Sequence, residues 1–195
     1  MDAPSRLGAL AGDHTLRSIT RASALAEWRP AVDQAALAVF AEGLRDSSPL
    51  IRLGALQSAA QLPADLRLPL VAPLLSDPLR TLRIEAASML ADAPGERLSM
   101  EQQAAFQYAA AEFIESQNYN ADRGDARVNL GTFLARRGDG VNAETQLKAA
   151  LSIDPFFQPA YVNLADLYRT QGRDADGERV LRAGLALAPG SAILH

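Results

Sequence analysis

Two stretches of the chain align with each other at a spacing of 34 residues. They read DARVNLGTFLARRGDGVNAETQLKAALSIDP at 125–155 and PAYVNLADLYRTQGRDADGERVLRAGLALAP at 159–189. A fixed period of this length is typical of repeat proteins, in which each copy is one supersecondary unit. The identical positions are Ala126/Ala160, Val128/Val162, Asn129/Asn163, Leu130/Leu164, Gly138/Gly172, Glu144/Glu178, Leu147/Leu181, Ala149/Ala183, Leu151/Leu185 and Pro155/Pro189.

Each copy predicts two helices separated by a glycine. In the second copy, apolar residues at i, i+3, i+4 and i+7 predict a helix over about 158–171, which Gly172 ends. A second apolar stripe follows and stops before Pro189. The first copy has its break at Gly138 and its stop before Pro155. Small residues are expected where the paired helices approach most closely: Gly131, Ala143, Ala165 and Gly177.

Residues 124–191 resemble two tetratricopeptide repeats, a family of helix–turn–helix units. A Leu-Gly pair, a large apolar residue three positions later, and then Ala, Leu, Ala and Pro recur in the places that the family gives them. Arg127 stands where the family usually has a large aromatic residue, and Gly177 and Gly184 replace the more usual Ala. These departures predict looser packing than the family norm. The resemblance implies that the first helices line the concave face of a superhelix.

Upstream, a second period of about 31 residues aligns Arg21, Arg52 and Arg83. The segments 46–55 and 77–86 resemble the inter-helix turn and second helix of HEAT repeats, and residues 13–43 resemble them more weakly. In that family an Asp before the second helix and an Arg one turn inside it link neighbouring units. Asp46 and Asp77 occupy the Asp place, where a carboxylate also accepts hydrogen bonds from free N–H groups at a helix start.

Together these patterns predict an all-α protein, a right-handed α-solenoid of helix hairpins in which a HEAT-like array precedes a tetratricopeptide array. The predicted domains are HEAT-like repeats over 1–98, an adaptor helix or degenerate repeat over 99–123, and two tetratricopeptide repeats over 124–191. Residues 192–195 are interpreted as the start of a truncated further repeat. Because that repeat would cover apolar residues around Leu181, Leu185 and Ile193, self-association through this end is expected.

The composition argues against catalysis and against cofactors. The chain has 195 residues with a net charge of −4, no Cys, and only His14 and His195 as histidines. These counts exclude thiolate nucleophiles and Cys-ligated metals, and they nearly exclude histidine chemistry. A general nucleic-acid binder would be strongly basic, and a membrane span would need about 18–20 apolar residues, so neither partner is predicted. We expect that the protein has no enzymatic activity and binds no cofactor.

A wider resemblance covers nearly the whole chain. Three short HEAT-like units, the run 118–122 and the later repeats are similar to the C-terminal region of bacterial multihaem c-type cytochromes. The Cys-x-x-Cys-His motifs of those proteins are absent here, so no redox function carries over. The resemblance implies a periplasmic location; without it the location would be cytoplasmic. It also leaves open an architectural or oligomerisation role in a larger redox protein.

The favoured function is a scaffold that binds a peptide or protein segment in the concave groove of the repeats. Asn129 and Asn163 occupy the same repeat position, and an amide can pair with both polar groups of an extended backbone. The alternative is that each Asn bonds only to its adjacent turn. Val128 and Val162 are interpreted as shallow pockets outside the core stripe, and Arg136 and Arg169 as favouring an acidic or C-terminal ligand. The candidate peptide-binding residues are Asp125, Val128, Asn129, Thr132, Arg136, Val162, Asn163, Asp166 and Arg169.

Overall fold

This computed structural model describes the backbone of residues 3–194 and the side chains of residues 6–194. The described residues form helices joined by turns and loops, with no strand. The prediction of an all-α protein is confirmed for these residues, and the α-solenoid stays a prediction. Two short 3₁₀ turns lie at Ala72–Ser76 and Gly95–Arg97. The α-helices are α1 Ala3–Gly12, α2 Ser18–Glu27, α3 Gln34–Gly43, α4 Pro49–Ala59, α5 Ala64–Val71, α6 Arg80–Met89, α7 Met100–Tyr119, α8 Gly124–Arg136, α9 Gly140–Ile153, α10 Gln158–Thr170 and α11 Asp174–Leu187.

The chain divides into two compact units, and the division falls inside α7 between Phe113 and Ile114. The first unit, Met1–Phe113, holds α1 to α6 and most of α7. The second unit, Ile114–His195, holds the end of α7 and the two 34-residue hairpins. The domain boundaries given by the sequence patterns stay a prediction.

The core of the first unit is built where α2 and α4 pack side by side. Trp28, at the end of α2, is buried and its ring centroid lies 5.3 Å from that of Phe40 on α3. Gly54 on α4 lies so close to α2 that a Cβ atom there would be 2.3 Å from the carbonyl oxygen of Ala22. The absence of a side chain at Gly54 therefore sets how closely the two helices approach.

Three arginines at the 31-residue period each pair with a carboxylate that lies 25 or 29 residues later in the chain; we call these pairs the arginine ladder. Arg21 donates to Asp46 at 3.2 Å. Arg52 donates to both carboxylate oxygens of Asp77, at 2.8 and 3.1 Å. The predicted pairing between neighbouring 31-residue repeats is present at both aspartates, and Arg21 and Asp77 are buried.

The third pair of the ladder ends on a different residue type. Arg83 donates to both carboxylate oxygens of Glu112 on α7, at 2.8 and 2.6 Å. The hydrogen bond from Arg83 lowers the pKa of Glu112 below its usual range. This pair therefore links α6 to α7.

Asp46 and Asp77 also organise the turns that lead into α4 and α6. Asp46 accepts a hydrogen bond from the backbone N–H of Ser48 at 2.8 Å, and Asp77 accepts one from that of Leu79 at 2.9 Å. Arg52 in turn donates to the carbonyl oxygen of Asp46 at 2.8 Å. Each aspartate thus accepts hydrogen bonds from the arginine of the preceding 31-residue repeat and from a backbone N–H of its own turn.

In the second unit the helix boundaries follow the sequence pattern closely. The helix predicted over about 158–171 is α10, Gln158–Thr170. Gly138 and Gly172 follow α8 and α10 with φ angles of +82° and +70°, a conformation that glycine adopts without a Cβ penalty. The hairpins α8–α9 and α10–α11 share a buried cluster that includes Leu147, Leu164 and Leu167.

Small residues lie at the helix contacts, as predicted. A Cβ at Gly131 would meet Leu147 Cγ at 2.8 Å, and one at Gly177 would meet the carbonyl oxygen of Ala165 at 3.3 Å. The expectation of looser packing is wrong at Gly184, where a Cβ would lie 2.9 Å from Tyr161 Cγ. Leu194 also reaches within 3.0 Å of that point, so larger neighbours fill the space that Ala would occupy.

Residues 192–194 form a turn in the described part of the chain, and His195, the last residue of the predicted further repeat, lies outside it. Ser191 donates to the side-chain oxygen of Gln158 at 2.7 Å, and Leu194 is buried. Leu181 and Leu185 are half-buried and Ile193 is exposed. Self-association through this surface stays a prediction.

Candidate functional site

A shallow depression of about 250 Å³ lies between α8 and α10, and we call it the α8/α10 pocket. Its floor is apolar and its rim is polar. It contains four of the nine predicted peptide-binding residues: Thr132, Arg136, Asn163 and Asp166. The complete lining is Thr132, Ala135, Arg136, Leu147, Asn163, Asp166, Leu167 and Thr170.

The floor of the pocket is continuous with the hydrophobic core of the hairpins. Leu147 from α9 and Leu167 from α10 belong to the shared buried cluster, and Ala135 packs against that cluster. Because α8 and α10 are the first helices of successive hairpins, the 34-residue repeat itself places their surfaces next to each other. The pocket is therefore a product of hairpin stacking and not of a loop.

Asn163 is held in place by two hydrogen bonds within the protein. Its side-chain oxygen accepts from the Thr132 hydroxyl at 3.1 Å, and its amide nitrogen donates to the carbonyl oxygen of Pro159 at 2.8 Å. The second bond is the local contact with the adjacent turn that the sequence left open as an alternative. An amide has two donor hydrogens and two acceptor lone pairs, so one of each remains for another partner.

Asn129, the repeat equivalent of Asn163, has a different environment. It is exposed, and its amide nitrogen lies 3.5 Å from the side-chain oxygen of Gln117 on α7, the outer limit of a hydrogen bond. It does not line the pocket. The two asparagines share a repeat position without sharing a set of contacts.

Charged residues stand at and beside the rim. Asp166 accepts from Arg169 at 3.2 Å, and both side chains are largely exposed. Arg136 is exposed in the last turn of α8. Asp125 lies outside the pocket, where the hydrogen bond from Arg123 at 2.6 Å lowers the pKa of its carboxyl group.

The two valines differ from the expectation that both form shallow pockets outside the core. Val128 is buried and belongs to the core cluster, so that interpretation is wrong for this residue. The physical reason is that α8 packs against both α9 and α10, which buries a wider arc of its surface than one apolar stripe. Val162 is half-buried and does not line the pocket.

A polar cluster centred on Glu144 was missed by the sequence analysis. Its carboxylate accepts hydrogen bonds from Lys148 at 2.6 Å, from the Tyr168 hydroxyl at 2.8 Å and from Arg173 at 2.8 Å. The bond from Lys148, followed by those from Arg173 and Tyr168, lowers the pKa of Glu144 to about 2 against the opposing effect of desolvation.

The guanidinium of Arg173 also lies 4.1 Å from the ring centroid of Tyr168. The cluster joins α9, α10 and the turn before α11, so we assign it to the cohesion of the two hairpins. The identity of Glu144 and Glu178 in the alignment was the only signal in the sequence that marked the position.

Among the described residues no group of three or more His, Cys, Asp or Glu side chains is arranged to hold a metal ion. In the same part of the chain, no helix combines the length and the apolar character that crossing a membrane requires. Comparisons with models of protein families, with curated proteins and with solved structures found no match.

Proposed function

We propose that this protein is a helical-repeat scaffold that binds an extended segment of another polypeptide. The observation that carries the proposal is the α8/α10 pocket, in which Thr132, Arg136, Asn163 and Asp166 meet above an apolar floor. The tandem hairpins resemble tetratricopeptide repeats, and the first unit resembles HEAT repeats. We infer that both arrays form one type of architecture, an α-solenoid.

The hydrogen bonds of Asn163 support binding to a peptide backbone. Thr132 and Pro159 fix its amide plane, so its remaining donor and acceptor are already oriented before a ligand arrives. One donor and one acceptor are the two groups that each residue of an extended peptide presents. Binding of this type depends on hydrogen bonds to the peptide backbone and needs no particular side chain of the peptide.

A randomised peptide library selected on the full-length protein tests the proposal. Selected peptides should bind the wild type and the Asn118→Ala control, in which an exposed Asn outside the pocket is removed. Asn163→Ala should weaken their binding by about five- to tenfold, the effect of one lost hydrogen bond. Selected peptides that bind Asn163→Ala as well as they bind the wild type would contradict the proposal, provided that circular dichroism shows the variant is folded.

A further inference from the structure

The last residues of α7, α9 and α11 stand 34 residues apart in the chain and share one property. They are Tyr119, Ile153 and Leu187, all large apolar residues that are exposed. Phe156, in the turn after α9, is exposed as well. We call these four residues the turn edge. We propose that the turn edge is a second contact surface, which docks a segment of a partner protein that carries apolar side chains together with Lys or Arg.

Contacts between the turns bring these residues to one end of the second unit. Gly124, which follows the turn after α7, lies against the turn after α9, because a Cβ on it would be 3.5 Å from Phe157 Cδ1. The start of α10, directly after that turn, is linked to the chain after α11 by Ser191, which donates to the side-chain oxygen of Gln158 at 2.7 Å. The turns that follow α7, α9 and α11 are therefore neighbours.

The exposure of the turn edge contrasts with the rest of the second unit. Tyr119 is 89% exposed and Phe156 is 67% exposed, whereas Phe133, Tyr161 and Tyr168 are buried. Aromatic rings carry a large apolar area, and burying that area against a partner is favourable. Exposed apolar residues that lie together, with polar residues around them, are typical of sites that bind other proteins.

Charges in the turns favour a basic partner. Asp122 and Asp154 lie in the turns after α7 and α9, and neither forms an ion pair within the described part of the chain. Arg123 is already paired with Asp125, through hydrogen bonds of 3.0 and 2.6 Å. Arg127 brings one further positive charge, and it donates to a backbone carbonyl oxygen of the turn after α7 at 2.8 Å. Three carboxylates thus stand against two guanidinium groups.

The helix ends at this surface add to the preference. Three helices, α7, α9 and α11, end here, and none has a basic residue in its last turn. Two helices, α8 and α10, begin here, and α8 has Asp125 in its first turn. The end of a helix carries partial negative charge and attracts cations. Lys or Arg side chains of a partner would therefore be stabilised next to the turn edge.

The same charges argue against two other occupants. The cytoplasmic surface of a membrane is anionic, so it would be repelled by Asp122 and Asp154. A second copy that docked through the same surface would bring the carboxylates of both copies together. A protein segment with apolar and basic side chains complements both the exposed apolar residues and the charges.

The turn edge is separate from the α8/α10 pocket. It lies where α8 and α10 begin, at Gly124 and Gln158, whereas the pocket is lined by residues from Thr132 onward in α8 and from Asn163 onward in α10. None of the residues of the turn edge lines the pocket. Loss of one surface should therefore leave the other intact.

Backbone amide NMR of the full chain with a defined peptide tests the proposal. The probe is acetyl-Lys-Leu-Lys-Phe-Lys-Leu-Lys-amide, compared with a peptide that has Ser in place of Leu and Phe and with one that has Glu in place of Lys. Signals from the turns after α7, α9 and α11 should shift saturably with the probe. We expect the Ser and Glu peptides each to bind at least about fivefold more weakly.

A variant that removes the two most exposed residues of the turn edge provides the matched test. Tyr119→Ser combined with Phe156→Ser should weaken binding of the probe by about tenfold. Val141→Ser is the control, because Val141 is 80% exposed near the opposite end of α9, and it should bind as the wild type does. Asn163→Ala should also leave this binding unchanged, so failure here is distinguishable from failure of the proposed function.

Three results would overturn the proposal. The first is equal binding of the probe by the wild type and the double variant, with circular dichroism showing that the variant is folded. The second is self-association in sedimentation velocity that the double variant abolishes, which would assign the turn edge to a second copy. The third is flotation with phosphatidylserine-containing vesicles that the double variant abolishes, which would assign it to a lipid surface.

Discussion

The two units of this protein stabilise repeated helix contacts in different ways. In the first unit, charged side chains link one repeat to the next through the arginine ladder, in which Arg52 and Asp77 are nearly buried. In the second unit, the link between the two hairpins is the Glu144 cluster, in which Arg173 and Glu144 are more exposed than Arg52 and Asp77. Contacts between successive helical repeats can therefore be made by nearly buried ion pairs, as in the first unit, or by more exposed ones, as in the second. We expect the two units to respond differently to the same class of substitution.

The largest effect is expected from breaking the ladder. Asp77→Ala leaves the Arg52 guanidinium without its carboxylate and removes the acceptor for Leu79 N–H, which should cost about 3–5 kcal/mol of unfolding free energy. Because Trp28 is the single tryptophan and is buried in the first unit, urea unfolding followed by its fluorescence measures this loss. Asp166→Ala breaks an exposed ion pair within α10 of the second unit, and its effect should stay within about 0.5 kcal/mol by circular dichroism. Similar losses for the two variants would contradict the comparison.

A smaller loss is expected from adding a methyl group at a helix contact. Gly54→Ala places a Cβ 2.3 Å from a backbone oxygen that cannot rotate away, so it should destabilise the first unit by about 1–3 kcal/mol. Gly131→Ala brings a Cβ to 2.8 Å from Leu147 Cγ and 3.2 Å from the carbonyl oxygen of Ala143, longer distances than at Gly54, and should cost less. Gly12→Ala is the control, because no atom lies within 4 Å of a Cβ there. A greater loss for Gly131→Ala than for Gly54→Ala would reverse this ranking.

Acid should weaken the polar cluster of the second unit. The pKa of Glu144 is lowered from 4.5 to about 2, so its contribution to stability is complete above about pH 4.5 and is lost as the pH falls toward 2. We expect Glu144→Gln to lower Tm at pH 7 and to match the wild type near pH 2. Glu178→Gln, at the equivalent exposed position, should change Tm little at either pH. A Tm difference between wild type and Glu144→Gln that persists undiminished at pH 2 would show that the carboxylate charge is not the cause.

The smallest effect distinguishes the two equivalent asparagines. Asn163→Ala removes two hydrogen bonds of a half-buried side chain and should cost about 0.5 kcal/mol for each of them, whereas Asn129→Ala removes one long, exposed contact and should be nearly neutral. Chemical denaturation of the two single variants provides the measurement, and equal stability for both would refute the structural role of Asn163.

The helices and their repeats could be predicted from the sequence because apolar periodicity and glycine positions are local signals. The helix over about 158–171 and the breaks at Gly138 and Gly172 were found this way. The aspartate pairs of the arginine ladder followed from resemblance to a repeat family. Its last partner, Glu112, could not be predicted, because it lies on α7, where the 31-residue pattern has ended.

The candidate site was predictable only in part, because its environment depends on helices that are distant in sequence. Thr132, Arg136, Asn163 and Asp166 were assigned to one surface, and they do line one pocket. The burial of Val128 depends on α10, which packs against a second side of α8, and no single-helix stripe contains that information.

Backbone amide NMR of the full chain with a library-selected peptide is the most direct test that the α8/α10 pocket is the working surface. Signals from residues 132–136 of α8 and 163–170 of α10 should shift together as the peptide is added, while those of the arginine ladder should not move. Shifts concentrated in α1 to α6, or saturable binding with no change in α8 and α10, would contradict it.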